Sequence, residues 1–444
     1  MSFWSFQNLV DLTGGTWLIE PADLGDAVAG LWHDTREIKA GQAYLAIKGD
    51  NFDGHAFVDQ AFDAGATLAI VSDPNLKPQA SGPVLCVNDT ITALQDLARA
   101  YRDVLKQGGC KVIGIAGSNG KTTTRHLIHH VLTHSGLQGT QSPKSFNNHL
   151  GVPLTLLSGK PQDDFVACEI GTNHPGEIDF LSAIARPDIA VITSIGEEHL
   201  AFFKTIRGVA KEEAAIIPHT QADGLLICPE DDWSRYLKRY ATTGDLRIAH
   251  GWYEPEDENA TDRLMTWPGF LNRNARLACF TAIECGVTHS AIDASVSTMR
   301  TPEGRAQHID IGCITLIHDA YNANPSSTRE SFDLFEVTPD ARKVMIFGDM
   351  LELGDHEVEA HQSVGIQADT NELAYLITIG QLAKHAALSA EQTKTHSFER
   401  WSDDLPDRVA DLLQPGDTVL LKASRGMRLE RLIPAIERRF GKAE

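Results

Sequence analysis

A chain of 444 residues is too long for one ordinary hydrophobic core, and at about 150 residues per domain it divides into roughly three. Hydrophobic residues make up 42% and charged residues 22%, no apolar run reaches the roughly 18 residues of a membrane span, and Met1 to Asp11 lack the features of a signal peptide, so a cytoplasmic globular protein is expected. Lys and Arg total 39 against 60 Asp and Glu, a net charge of -21 that repels nucleic acid and requires any anionic ligand to be held by local devices: backbone N–H groups, a few placed cations or magnesium.

Seven cysteines (Cys86, Cys110, Cys168, Cys228, Cys279, Cys285, Cys313) lack CxxC spacing and fall mostly in apolar runs, the pattern of buried thiols and not of a disulfide framework or zinc site. Apolar strand-like runs alternate with amphipathic stretches, which predicts an α/β fold with largely parallel sheets. A first unit, 1–108, ends at the glycine-bearing joint Gln107-Gly108-Gly109. A second, 109–301, opens with the strand Lys111 to Ala116 and continues through strands at Phe165 to Ile170, Asp188 to Ile195 and Gly224 to Cys228. The pattern breaks near Met299 to Gly304, and a third unit, 302–444, has strands at Ile314 to His318, Lys343 to Phe347, Leu373 to Ile379 and Thr418 to Lys422.

The clearest chemical signal is Gly117-Ser118-Asn119-Gly120-Lys121-Thr122-Thr123-Thr124, between a strand and a helical stretch beginning near Thr122. Glycines let backbone N–H groups face phosphates, the helix N-terminus adds positive potential, Lys121 reaches the β/γ oxygens, and the Thr122 hydroxyl suits magnesium. The spacing is G-x-x-G-K-T, shorter than the general G-x4-G-K-[ST] loop. Glu169 ends a strand, where a carboxylate can ligate magnesium at the carboxyl edge of a parallel sheet, and His199 follows the next strand in Ile195-Gly196-Glu197-Glu198-His199-Leu200. His126, His130 and His134 share a helix face at metal-binding spacing, but a packed or solvent-facing stripe is the expected reading. In the third unit Asp319-Ala320-Tyr321-Asn322-Ala323-Asn324-Pro325 follows a strand; Asp319 and Asn322 there suit ribose or phosphate contacts, and the Asn-Pro pair also reads as turn chemistry.

The short loop, Ser145 to Thr155, Glu169 to Ile178, the Asp319 to Ser327 run, Gly348 to Gly354 with His361, and Leu421 to Met427 together resemble the Mur ligase and folylpolyglutamate synthase superfamily, and within it the branch that adds D-alanyl-D-alanine. The Asp-Asn-Pro-Arg run typical of the branch adding the third peptide residue does not occur. The resemblance covers nearly the whole chain. It implies a uridine-nucleotide substrate module, a central P-loop parallel-sheet ATPase domain and a C-terminal Rossmann-like domain. The implied activity is ATP-dependent ligation through an acyl phosphate by a monomer, with UDP-N-acetylmuramoyl-tripeptide, D-alanyl-D-alanine, ATP and Mg2+ as substrates and cofactors. Gly117 to Thr123 would bind ATP, with Arg305, Asp319 and Asn322 from the third unit. Thr35, Arg36 and Lys48, within Asp34 to Glu37 and Lys48 to His55, would hold diphosphate or peptide carboxylates together with Asn147 and Asn148. Thr122 and Glu169 would ligate one magnesium and His199 a second, and Lys121 and His199 would be catalytic. Asn272 and Asn274 lie where the family has a His-Asn…Asn nucleotide contact, here without the histidine.

One position departs from the family pattern. Where a Gly-Val-Ala-x-x-Lys segment carries a carbamylated lysine, this chain has Gly208-Val209-Ala210-Lys211-Glu212-Glu213. Glu213 keeps the anion and the hard oxygens with a shorter reach, so direct replacement is expected, making Glu213 both catalytic and metal-ligating. Lys211 lies about 200° away on a helix and cannot share that face. Another Mur or folylpolyglutamate-type ligase is the nearest alternative, and a catalytically silent nucleotide-binding partner of cell-wall synthesis is the other.

Overall fold

The computed structural model describes residues 2–49, 52–79, 82–240, 247–337 and 341–441. Among them three sheets follow one another along the chain. The first comprises β1 (Thr16–Ile19), β2 (Leu31–Trp32), β3 (Ala43–Leu45), β4 (Leu68–Val71) and β5 (Val84–Cys86) in the order β1-β5-β4-β3-β2, parallel except for β1 against β5.

The second comprises β6 (Lys111–Ala116), β7 (Gly139–Gln141), β8 (Phe165–Glu169), β9 (Ile189–Ile192), β10 (Leu225–Cys228) and β11 (Arg247–His250) in the order β11-β10-β9-β6-β8-β7, parallel throughout. Every residue of β8, β9 and β10 is buried, as unbroken apolar runs require in a sheet covered on both faces. β6 lies between β8 and β9, so the chain winds away from it in both directions and its carboxyl end is a topological switch point, the usual ligand crevice of such sheets.

The third comprises β12 (Gln307–Ile311), β13 (Ile314–Asp319), β14 (Arg342–Gly348), β15 (Tyr375–Ile379), β16 (Lys394–Phe398) and β17 (Asp417–Lys422) in the order β12-β13-β17-β14-β15-β16. Only β12 against β13 is antiparallel. The strands expected from sequence are β6, β8, β9, β10, β13, β14, β15 and β17, but β9 stops at Ile192, short of Ile195, because the chain there turns into the segment carrying His199.

The first two sheets are joined by the helix Thr90–Gly108. Asp89 caps it by accepting from the Thr92 N–H, and Gly109 at φ 88° ends it in the left-handed region that a side chain disfavours. Its Leu94, Leu97 and Tyr101 share one core with Val152, Leu156 and Ile184 of the middle unit. Arg102, 1% exposed, crosses the same junction and donates to the Ala185 and Arg186 carbonyls and, at 2.7 Å, to Asp188 Oδ2. No helix among the described residues is long and apolar enough to cross a membrane. All seven cysteines are free, and Cys313, in the β12–β13 turn, is exposed where the sequence suggested burial.

Candidate active site

Residues 117–120 turn from β6 into the helix Lys121–His134. Gly117 at φ 117° and Gly120 at φ 85° adopt backbone that side chains disfavour, and neither has room for one: an added Cβ would lie 2.4 Å from Thr193 Oγ1 at Gly117 and 2.7 Å from Asn274 Oδ1 at Gly120. No side chain caps the helix, so its first N–H groups remain available to an anion. Lys121 folds back to donate to the carbonyls of Gly117 and, at 3.2 Å, Ser118, with Glu198 Oε2 3.6 Å away. Burial pulls its ammonium down, but Glu198, Glu213 and Glu169 outweigh burial and hold it above the ordinary lysine value, so it stays charged.

Glu169, at the end of β8, faces this loop. Its Oε1 accepts from Thr122 Oγ1 at 3.1 Å and from Asn147 Nδ2 at 3.0 Å. Its Oε2 is buried without a hydrogen bond, 3.4 Å from Arg125 Nε, which is equally unpartnered. Glu198 Oε1 and Glu213 Oε1 are likewise buried and unpartnered, as is His199 Nδ1, which stands 2.9 Å from Glu352 Oε2 without hydrogen-bond geometry. Unpaired buried oxygens are costly and call for a partner. Hard carboxylate oxygens beside a threonine hydroxyl fit magnesium, which keeps several waters and takes one or two carboxylates together with substrate phosphates. No cluster of three or more His, Cys, Asp or Glu able to cage a metal occurs among the described residues.

The structure differs from expectation at Glu213. Its carboxylate is completely buried beneath the loop and is not among the residues lining the cleft, which include His199. Oε2 accepts the Gly117 N–H at 2.6 Å. Burial lifts this carboxyl well above the ordinary range, Lys121 opposing and Glu198 reinforcing. Lys211 is exposed, on the other side of its helix.

The cleft, about 560 Å³, is lined by both the middle and the third unit. Arg305, Asp319, Tyr321, Asn322, Lys422 and Arg425 line it opposite the loop. Arg305 and Arg425 lie over the Tyr321 ring at 4.2 and 5.6 Å, and the Tyr321 hydroxyl donates to Ser145 Oγ at 2.7 Å across the unit boundary. Asp319 is not free for a ligand in this arrangement: Oδ1 accepts the Ala306 N–H and Oδ2 accepts from Lys422 Nζ at 2.7 Å. Sequence reasoning did not single out Glu198, Arg125, Tyr321 or Lys422, although each lies in or beside a quoted motif.

Asn147 and Asn148 also line the cleft, but Asn148 Oδ1 already accepts the Leu150 and Gly151 N–H groups at the start of the helix Gly151–Ser158. Thr35, Arg36 and Lys48 are not brought to it. The Arg36 side chain is 83% exposed and paired with Asp34 at 2.6 Å, and Lys48 is 73% exposed, 3.7 Å from Asp53; Asp50 and Asn51 of that segment lie outside the described residues. Asn274 reaches the cleft beside Gly120, whereas Asn272 turns inward to Leu264 and Arg276. In the histidine stripe, His130 contacts Ser295 and Thr298 and stacks on His134, as a packed stripe does. His361 is structural: Nε2 accepts the Met350 N–H at 2.9 Å and Nδ1 donates to the Glu357 carbonyl.

Three family domains match in chain order: Mur ligase family, catalytic domain, over residues 27–102; Mur ligase middle domain over 115–263; and Mur ligase, glutamate ligase domain, over 304–425. The chain belongs to the Mur ligase family. It is 34% identical to the UDP-N-acetylmuramoyl-tripeptide--D-alanyl-D-alanine ligase of Bacillus subtilis over 96% of this chain and 97% of that one. The ligase of the same name from Escherichia coli is 30% identical over 98% of each. Among solved structures, MurF from Acinetobacter baumannii superposes with a TM-score of 0.84 at 28% identity, covering 98% of this chain and 99% of that one.

Proposed function

We propose that this chain is the ATP-dependent ligase that joins D-alanyl-D-alanine to UDP-N-acetylmuramoyl-tripeptide, forming UDP-N-acetylmuramoyl-pentapeptide. The observation that carries this reading is one cleft lined both by phosphate-loop residues Ser118 to Thr123 and by Arg305 and Asn322 of a separate unit, in a chain 34% identical to a ligase of that name over nearly its whole length. The tripeptide carboxylate oxygen attacks the γ-phosphorus as the bond to the ADP oxygen breaks. The dipeptide amine, after losing a proton, then attacks the acyl carbon and inorganic phosphate leaves. Lys121 and the helix N–H groups offset charge on the phosphates, and closure by the third unit keeps water from the acyl phosphate.

Thr122 and Glu169 are the residues that would hold a nucleotide magnesium; His199, with Glu213 behind the loop, would serve a second. Bound there, the ions would supply charge neutralisation at the transferred phosphoryl group. Glu213 stands in for the carbamylated lysine with a side-chain carboxyl that needs no bicarbonate; burial favours its neutral form, so it would carry charge once a cation sits beside it. Thr35, Arg36 and Lys48, which lie outside the cleft, and Asn147 and Asn148, which line it, would bind the sugar nucleotide and peptide, with residues 1–108, 109–301 and 302–444 as substrate, ATPase and ligase domains. We take the chain to act as a monomer in the cytoplasm, without a nucleic-acid partner.

Phosphate release from ATP with UDP-N-acetylmuramoyl-tripeptide, with and without D-alanyl-D-alanine, tests the assignment when the product is identified by mass. Dipeptide-dependent pentapeptide is expected. Product with another amino acid alone would assign a different ligase of the family, and nucleotide binding without turnover would assign a silent partner.

A further inference from the structure

Asn119 is the third residue of the phosphate loop. Its main chain is fastened from below: the N–H donates to Ser194 Oγ at 3.0 Å, and the carbonyl accepts from Thr193 Oγ1 at 2.5 Å and Ser194 Oγ at 3.1 Å. The side chain instead reaches the third unit. Asn119 Nδ2 donates to Ser326 Oγ at 2.9 Å, Ser326 Oγ donates to Asn324 Oδ1 at 3.1 Å, and Asn324 Nδ2 donates back to Asn119 Oδ1 at 2.8 Å. This is a closed ring in which both amides use their oxygen and their nitrogen, so both orientations are fixed.

The ring is anchored on each side. Asn324 Oδ1 also accepts the Ser327 N–H at 2.7 Å, capping the helix Pro325–Ser331, so the ring moves only with that helix. On the middle unit Gly196 makes room, since a Cβ there would lie 2.7 Å from Ser326 Oγ. Other contacts cross the same boundary, Tyr321 to Ser145 and Arg273 to Glu330, but this one sits on the phosphate loop itself.

We propose that Asn119 is a positioning residue that latches the third unit onto the phosphate loop, so that closure of the ligase site and the setting of the loop are one event. This inference rests on the ligase reading above. Both ends of the Asn119 side-chain amide are taken by Ser326 and Asn324, and so it stabilises the arrangement in which Arg305 and Asn322 share the cleft with Lys121. Each neutral hydrogen bond shifts such an equilibrium by about fivefold, so opening the ring lowers the closed-to-open ratio by about 5- to 30-fold.

The test is single-molecule energy transfer on the full chain between dyes on two engineered surface cysteines, one in the middle and one in the third unit, with a non-hydrolysable ATP analogue and UDP-N-acetylmuramoyl-tripeptide. Steady-state kinetics accompany it. Asn119→Ala, Ser326→Ala and the double variant are compared. Each single variant is expected to lower the closed-to-open ratio at least about fivefold, the double variant little further because both open the same ring, and kcat to fall with KM for ATP within about twofold. Ser326→Ala is decisive because it lies outside the loop. An unchanged closed fraction in both single variants, or additive losses in the double, overturns the latch. Wild-type turnover with an unchanged closed fraction would sink the latch alone, whereas absence of dipeptide-dependent product in the wild type would sink the ligase reading and leave the closure measurement standing.

Discussion

The carboxyl edges of the second and third sheets each carry a nearly buried lysine beside an acidic residue, yet they are finished differently. On the third sheet Lys422, at the end of β17, donates to Asp319 Oδ2 at 2.7 Å and to the Asn322 carbonyl at 3.0 Å, and Asp319 spends its other oxygen on Ala306. On the second, Lys121 stands 3.6 Å from Glu198, and Glu169, Glu198 and Glu213 each keep a buried oxygen outside hydrogen-bond geometry, that of Glu169 beside Arg125. The first arrangement is complete without a ligand and works as scaffold. The second leaves polar groups open, and those of Glu169 and Glu198 line the cleft where a nucleotide and its cation would satisfy them.

The largest expected effect breaks the open edge: Lys121→Ala lowers ligation about a thousandfold, measured as dipeptide-dependent phosphate release, while the chain still folds. Retained activity would mean the loop N–H groups suffice. On the closed edge, Asp319→Asn strands the Lys422 charge and costs about 3 kcal/mol in urea denaturation. A loss confined to nucleotide affinity, with stability unchanged, would instead make Asp319 a ligand contact. Glu213 separates charge from hydrogen bonding: Glu213→Ala is expected to lose about a hundredfold in kcat, and Glu213→Gln, which keeps the acceptor for Gly117, to lose nearly as much. Near-full activity in Gln would reduce Glu213 to a loop support, and recovery of Glu213→Lys on adding bicarbonate would establish the replaced carbamate.

The smallest effect lies away from both edges. Burial, followed by the charges of Arg125, His130 and His129, lowers His126 from 6.5 to about 4. The folded chain therefore holds this ring neutral while the unfolded chain protonates it. The associated stability is present above pH 6.5 and is lost as pH falls through about 4. His126→Gln should remove about 1 to 2 kcal/mol of that acid sensitivity, seen as a shallower fall of denaturation midpoints between pH 6.5 and 4. An identical slope would place the acid sensitivity elsewhere.

Long apolar runs were legible in the sequence because burial on both faces leaves few polar choices, and β6, β8, β9 and β10 follow. The edge strands were not. β7 is the short Gly-Thr-Gln, β11 is Arg-Ile-Ala-His and β16 is Lys-Thr-His-Ser-Phe, and half-exposed edges tolerate residues that read as loop. The phosphate loop was legible because its glycines answer a backbone requirement. The fastening of Asp319 by Lys422 was not, since the partners are 103 residues apart and only the β13–β17 pairing brings them together. Likewise nothing local to Gly208 to Glu213 says whether a carboxylate faces an open cleft or the underside of a loop.

The stack of Arg305 and Arg425 on Tyr321 has a kinetic consequence. The chain as a whole carries -21 charges, so a nucleotide polyanion meets net repulsion at long range and attraction only near these guanidiniums and the loop. Added salt weakens the distant field before it weakens contacts shorter than the screening length of about 8 Å at 0.15 M. Nucleotide capture in stopped flow should therefore quicken between about 0.01 and 0.15 M salt, the reverse of a ligand drawn in by overall charge. A monotonic slowing would show that the positive field of the cleft extends well beyond its mouth.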